Sequence, residues 1–271
     1  MYRSFSKFIY HGSKLHYSVF GEGPKVLLMF HGFGHTLKSM RPFEEVLASE
    51  YKIYSFDLFF HGFSEWNHND TALESDFWRP MILAFLEENG IDKFSVLGFS
   101  LGAKVAMATT ELFPAKIEQL YLVAPDGIHQ NIIYRFATSF LFKGAFRSII
   151  LHPELFHRVI NILSFLRLMD KSVLRFAAMQ MNSRDKRRRI YYTWTVYKGL
   201  KPHMGQLTKL LNTKKIKTEV YVGKFDRIIR LDHIKPFVNQ LKCGQLFTLE
   251  AGHNNLIEKA ADYMERELSK R

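Results

Sequence analysis

An apolar run, Phe94 to Leu97, enters Gly98-Phe99-Ser100-Leu101-Gly102 and leaves as a stretch of helix formers, Ala103 through Leu112. Few folds accept that order. A serine at the apex of so abrupt a strand-to-helix turn is held in a strained backbone conformation, and glycine on either side lets strand and helix pass closely. The hydroxyl then projects above the sheet, with the N-terminus of the new helix aimed at the same place. Strand, tight turn and helix together are the setting in which Gly-x-Ser-x-Gly carries meaning, and they make Ser100 the candidate nucleophile.

The rest of the chain repeats the strand-then-helix rhythm. Residues 5 to 20 alternate loosely around Gly12-Ser13, as an edge hairpin does. Val26 to Phe30 is continuously apolar, the pattern of a central strand buried on both faces, and it ends in His31-Gly32-Phe33-Gly34. A helix over 37–48 leads to a strand from Tyr51 to Phe56, which ends in the segment Asp57 to Ser64. A helix over 75–89 follows, closed by Gly90. Beyond the Ser100 motif, Leu120 to Ala124 reads as a strand ending at Pro125-Asp126-Gly127. Later, Thr218 to Gly223 leads into Lys224-Phe225-Asp226, a helix over 231–241, a strand from Gln245 to Leu249, Ala251-Gly252-His253-Asn254 and a last helix over 255–269. Alternation of this kind implies βαβ units with right-handed crossovers, hence an α/β fold with a mostly parallel sheet flanked by helices.

From 128 to 199 the rhythm stops. Helical patterns cover 131–143, 153–168, 171–181 and 184–198, on faces rich in Phe, Ile, Leu, Met and Tyr. A stripe such as Phe156, Ile160, Leu163 and Leu166 reads first as plain core. Helices inserted after the C-terminal end of a strand lie over the edge where α/β proteins bind ligands. The chain is therefore expected to form a core from 1–127 and 200–271 and a helical cap from 128–199.

Composition removes several alternatives. A length of 271 residues with 47% hydrophobic side chains suits one domain with an insertion. Cys243 is the single cysteine, which excludes an intrachain disulfide and a cysteine metal cluster and fits a reducing compartment. The first residues carry no secretory pattern, and Arg135, Lys143 and Arg147 interrupt the most apolar region, so a cytoplasmic protein without membrane insertion is expected. The net charge of +12 raises nucleic acid as a partner. Basic residues nevertheless occur along the whole chain, and the dense run Arg184 to Arg189 reads as the solvated start of a helix. No specific nucleic acid is expected; an anionic substrate or an acidic carrier protein stays open.

Ser100, Asp226 and His253 each follow the C-terminal end of a separate strand, in the order serine, acid, histidine. The 27 residues from acid to histidine leave room for one helix and one strand, which returns both loops to the edge that holds Ser100.

With these five segments in order, His31 to Gly34, Asp57 to Ser64, Gly98 to Gly102, Gly223 to Asp226 and Gly252-His253, the chain resembles the α/β-hydrolase superfamily, specifically its capped serine hydrolases. The resemblance implies a Ser100–His253–Asp226 triad and an oxyanion hole from the backbone amides of Leu101 and Phe33. Some members take their acid from the position of Asp126, so that residue is the alternative to Asp226. Asp57 is expected to brace a loop beside the oxyanion hole, and His31 and His35 to be structural. Phe60 and Ala103 stand where glycine is common in the family. Haloalkane dehalogenases and epoxide hydrolases resemble the chain but carry aspartate at the nucleophile position, which disfavours both chemistries. The expectation is hydrolysis of carboxylic esters with small to medium hydrophobic acyl groups. The alternatives are a C–C bond hydrolase, a thioesterase, or a slow or non-catalytic ligand-binding member of the fold. No metal or organic cofactor is implied, and the chain is expected to be a monomer or homodimer.

Overall fold

The computed structural model describes residues 2–129, 143–152, 154–156, 158, 161–162, 178–179 and 181–270. The chain divides into two compact units. One comprises Met1–Asn69, Leu73–His129 and Leu200–Arg271; the other comprises Asp70–Ala72 and Gln130–Gly199.

The first unit is built on an eight-stranded sheet: β1 (Ser4–Tyr10), β2 (Ser13–Phe20), β3 (Lys25–Phe30), β4 (Tyr51–Phe56), β5 (Phe94–Phe99), β6 (Ile117–Val123), β7 (Lys217–Gly223) and β8 (Gly244–Leu249). The strand order is β1-β2-β4-β3-β5-β6-β7-β8. The β1/β2 hairpin is antiparallel and meets β4 antiparallel, while every pairing from β4 to β8 is parallel. The mostly parallel α/β sheet anticipated from the sequence is present. Its register brings the strand ends level: Phe30 pairs with Phe56 and Gly98, Phe99 with Val123, Val123 with Tyr221, and Gly223 with Leu249. The loops after β3, β4, β5, β6, β7 and β8 therefore leave the sheet along one edge.

Strand residues alternate between two covered faces, as the period of two requires. On one face Leu27, Met29, Ile53, Leu97, Phe99 and Val123 pack with Phe43 and Leu47 of α1 (Arg41–Leu47) and with Leu256, Ala260 and Met264 of the last helix. On the other, Phe30 and Phe56 meet Trp78 and Phe85 of α2 (Ser75–Glu88), at ring separations of 6.0 and 5.0 Å. Trp78 Nε1 then donates to Thr109 Oγ1 of α3 (Leu101–Leu112) at 2.9 Å, so the one polar atom of that indole is satisfied inside the core. A fully buried side chain of this size stabilises the fold by about 2–3 kcal/mol relative to exposure.

Several element bounds differ from the sequence expectation. The segment expected to be one helix over 37–48 begins as a 3₁₀ turn, Leu37–Met40, because Pro42 sets the start of α1. After residue 199, where no element had been placed, a helix covers Met204–Thr213; its buried residues are only Leu207 and Leu211, a stripe too narrow to stand out. The elements that close the unit are helices Leu231–Val238 and Leu256–Leu268.

In the second unit, α4 (Lys143–Leu151) packs on α5 (Arg184–Tyr197). The Phe146 ring lies 5.9 Å from Tyr191 and 5.5 Å from Trp194, and Arg187 donates to the carbonyls of Ile150 and Met181. Ser183 caps α5 by accepting from the Lys186 amide at 3.3 Å. α4 starts where a helix over 131–143 was expected to end; the remainder of that expected helix lies outside the described residues. Positions 154–156, 158, 161–162 and 178–179 are helical, in keeping with the patterns at 153–168 and 171–181, whose other residues fall outside those described.

Candidate active site

Ser100 stands between β5 and α3 with φ +52° and ψ −115°, a combination L-residues avoid. The turn is fixed from both sides. Ser100 N donates to Val123 O at 2.9 Å, and its own carbonyl accepts from Ala103 N at 2.9 Å and from Asp126 N at 3.3 Å. A Cβ on Gly98 would come within 2.3 Å of Gly102 O, and one on Gly102 within 2.0 Å of Phe30 O. Both glycines of the motif are thus steric requirements of helix and strand crossing.

The loop after β3 runs directly beside this turn. A Cβ on Gly32 would lie 2.7 Å from the Phe99 ring and 3.3 Å from Ser100 Cβ. Two imidazoles and one carboxylate hold that loop. His31 Nδ1 is 2.7 Å from Gly32 O and its Nε2 accepts from Leu58 N at 3.0 Å. His61 Nδ1 is 3.0 Å from Phe59 O and its Nε2 accepts from Gly34 N at 3.0 Å. One ring nitrogen accepts an amide proton and the other faces a carbonyl, so each ring is neutral and carries its proton on Nδ1. Asp57 accepts from Leu37 N at 2.8 Å and Phe63 N at 3.1 Å, and His16 Nδ1 lies 2.7 Å from its second oxygen. Asp57 and His31 therefore tie together the loops after β3 and β4. His61 shares that work and His16, on β2, braces Asp57; neither was singled out in the sequence. His61 lies inside the Asp57 to Ser64 segment, but a histidine there looks like any loop histidine until its partner amide is known.

Asp226 and His253 meet across the loops after β7 and β8. Asp226 Oδ2 is 2.7 Å from His253 Nδ1, and Asp226 Oδ1 accepts from Ile228 N and Ile229 N, both at 2.8 Å. The Asp226 side chain is wholly buried and that of His253 is 12% exposed. The two loops touch through Phe225 N, which donates to Ala251 O at 3.0 Å; a Cβ on Gly223 would come within 2.4 Å of the same oxygen. The His253 ring lies 5.1 Å from that of Phe99, the neighbour of Ser100. The other acid weighed from the sequence, Asp126, donates its amide to Ser100 O at 3.3 Å, and its charge acts on Lys104.

Leu101 heads α3, so its amide is one of the first four helical N–H groups, which have no intrahelical acceptor. Phe33 lies two residues past His31, and its ring packs edge-on against His61 at 5.6 Å. Phe60, the residue that departs from family glycine, has φ +67°, which explains why glycine suits the position.

Two titrating groups adjoin these residues. Lys104, one turn along α3, is 5% exposed; burial above all lowers its pKa to about 8, with Lys201 pushing the same way and Asp126 opposing. The His35 ring also stacks on Phe99, at 5.5 Å, and its Nδ1 is buried without a hydrogen-bond partner among the described residues. Burial and then the charge of His253 lower its pKa, while Glu258 opposes.

A family model described as the alpha/beta hydrolase fold matches residues 25–260. Among curated relatives, an uncharacterised protein of Mycobacterium tuberculosis is 28% identical over 130 residues, 47% of this chain and 37% of that protein. The pimeloyl-[acyl-carrier protein] methyl ester esterase of Vibrio parahaemolyticus is 27% identical over 139 residues, 48% of this chain and 51% of that one. The chain thus aligns with between a third and a half of the length of these relatives. Among solved structures, the meta-cleavage product hydrolase of Pseudomonas fluorescens superposes with a TM-score of 0.66 at 16% identity, covering 98% of this chain and 96% of that one.

Proposed function

Because the chain belongs to the alpha/beta hydrolase fold family, we propose that it is a serine hydrolase of carboxylic esters with small to medium hydrophobic acyl groups, working through an acyl-enzyme. The observation that carries this reading is the Asp226–His253 pair, with the imidazole bonded through Nδ1 and Nε2 left as the basic nitrogen. In the proposed cycle Ser100 Oγ attacks the ester carbonyl as His253 Nε2 takes its proton. The backbone amides of Leu101 and Phe33 stabilise the oxyanion, each lowering the barrier by a few kcal/mol. The intermediate collapses, His253 returns the proton to the departing alkoxide, and the alcohol leaves. Water activated by the same imidazole then hydrolyses the acyl-enzyme, releasing the acid and restoring Ser100. Asp226 keeps the proton of neutral His253 on Nδ1 and stabilises the imidazolium formed twice per cycle.

Ester chemistry is supported by the Vibrio relative, which is named as a methyl ester esterase. Apolar side chains beside the elbow, Phe33, Phe99 and Leu101, suit a hydrophobic acyl group. The residues of the second unit, rich in Phe, Leu and Ile, are proposed to cap the site. The test is turnover of p-nitrophenyl esters of graded chain length by the wild type and by Ser100→Ala, together with labelling by a fluorophosphonate. Ester turnover and labelling that both vanish in the variant support the proposal. Labelling without ester turnover directs the reading to thioesters or C–C bonds, tested with acyl-CoA and dienone substrates. No labelling leaves the ligand-binding alternative.

A further inference from the structure

The bounds of the second unit uncover a charge asymmetry. The second unit, residues 70–72 and 130–199, holds 13 lysines and arginines against 4 acidic residues, which is nine of the chain's twelve net positive charges. The remaining 198 residues carry the other three. From this and from the exposed side chains of that unit, we propose that it docks peripherally on an anionic lipid bilayer.

The described helices show how the charge is displayed. On α4 Ile150 is buried and Phe146 half-buried against α5, whereas Arg147 is exposed. α5 is polarised along its length: Ile190 to Tyr197 holds its buried residues, whereas Arg184 and Arg188 in the first turns are exposed. Basic side chains at the start of a helix oppose the positive end of its macrodipole, so helix stability does not explain five of them between 184 and 189. Among the described residues, no carboxylate pairs with Arg147, Arg158, Arg184 or Arg188.

Charge alone would equally suit a nucleic acid or an acidic protein. Exposed apolar side chains in the same positively charged unit favour lipid over nucleic acid. Ile162 is 56% exposed and Met179 is 53% exposed in the same unit. A phosphodiester backbone offers such side chains nothing to bury against, whereas the headgroup and acyl boundary of a bilayer accepts cations and apolar groups together. The association is peripheral: no helix among the described residues is long and apolar enough to cross a membrane.

Cosedimentation of the full chain with phosphatidylcholine vesicles, with and without 30% phosphatidylglycerol, tests this, with duplex DNA and polyglutamate as competing ligands. Binding should require phosphatidylglycerol and fall steeply as salt rises from about 0.1 to 0.5 M. The triple variant Arg147→Glu/Arg184→Glu/Arg188→Glu should bind on the order of a hundredfold more weakly, since each cation near an anionic surface contributes about fivefold. A matched reversal in the first unit, Lys93→Glu/Lys235→Glu/Lys242→Glu, should have little effect, and Ile162→Ser/Met179→Ser should weaken binding severalfold. Circular dichroism and melting verify that each variant is folded, and the salt titration of the wild type stands if one is not. Equal binding to both vesicle types, no vesicle binding, tighter binding to DNA or polyglutamate, or equal loss from the two triple variants would overturn the proposal.

Discussion

Asp226 grips His253 with one carboxylate oxygen while backbone amides hold the other: Oδ2 is 2.7 Å from Nδ1, and Oδ1 accepts from Ile228 N and Ile229 N at 2.8 Å. Those amides stop the carboxylate from rotating, so the imidazole is held in one orientation. Asp226→Asn keeps the shape but can present an N–H to Nδ1 and favour the wrong tautomer. On the proposed mechanism kcat for ester hydrolysis should fall by about 10³-fold or more with KM little changed. Asp126→Asn should stay within about threefold of wild type. Steady-state kinetics of the two variants reads the choice of acid directly, and comparable losses from both would sink it.

Ser100 is held at φ +52°, ψ −115° by a turn that cannot relax, because Gly98 and Gly102 are locked against neighbouring backbone. Strain of this kind costs about 1–3 kcal/mol. Ser100→Gly should relieve part of it and raise stability by about 1 kcal/mol, whereas Ser100→Ala, which keeps the Cβ, should not. Both variants should lose ester turnover. Denaturant melts of the three proteins decide it, and a destabilised Ser100→Gly would contradict the strain assignment.

How much of this was legible in the sequence depends on how local the signal is. The elbow announces itself because the order of an apolar strand, two glycines and a helix is contiguous, and the central strand β3 follows from its continuous apolar run. Asp226 and His253 are readable as loop residues after strands. That the two face each other depends on the level ends of β7 and β8, a property of register. The partners of Asp57, His31 and His61 are backbone amides from distant loops, which no pattern of side chains records. The charge of the 130–199 segment can be counted from the letters, and the sequence already sets that stretch off as a helical insertion; which of its basic and apolar side chains are exposed is a property of the folded chain.

Lys104 is buried one turn beyond the elbow with its pKa lowered to about 8. Between about 8 and the ordinary 10.5 the unfolded chain binds more protons at this site than the folded one, so its contribution to stability rises with pH across that window. Below pH 8 the cost of the buried charge is present in full, on the order of 3 kcal/mol. Lys104→Met should therefore be more stable than wild type at pH 7 by about 2–3 kcal/mol, with the advantage shrinking toward pH 10. Denaturant unfolding at pH 7 and 10 measures the difference, and a variant less stable than wild type at pH 7 refutes it.

His35 and His253 both pack against Phe99, and burial together with the charge of His253 lowers the His35 pKa below the ordinary 6.5. Between that lowered value and 6.5 the unfolded chain binds the extra proton and the folded chain does not, so stability falls as pH drops through this window. Below both values the whole penalty is present. His35→Gln removes the titrating group while keeping a polar side chain over Phe99. It should lose less melting temperature than wild type between pH 7.5 and 5, and keep ester turnover within about threefold at pH 7.5, where His35 is neutral and carries no charge toward the site. Parallel melting curves for the two proteins across that range would show that another group governs acid stability. A collapse of turnover at pH 7.5 would mean that His35 contributes to the reaction itself, beyond packing on Phe99.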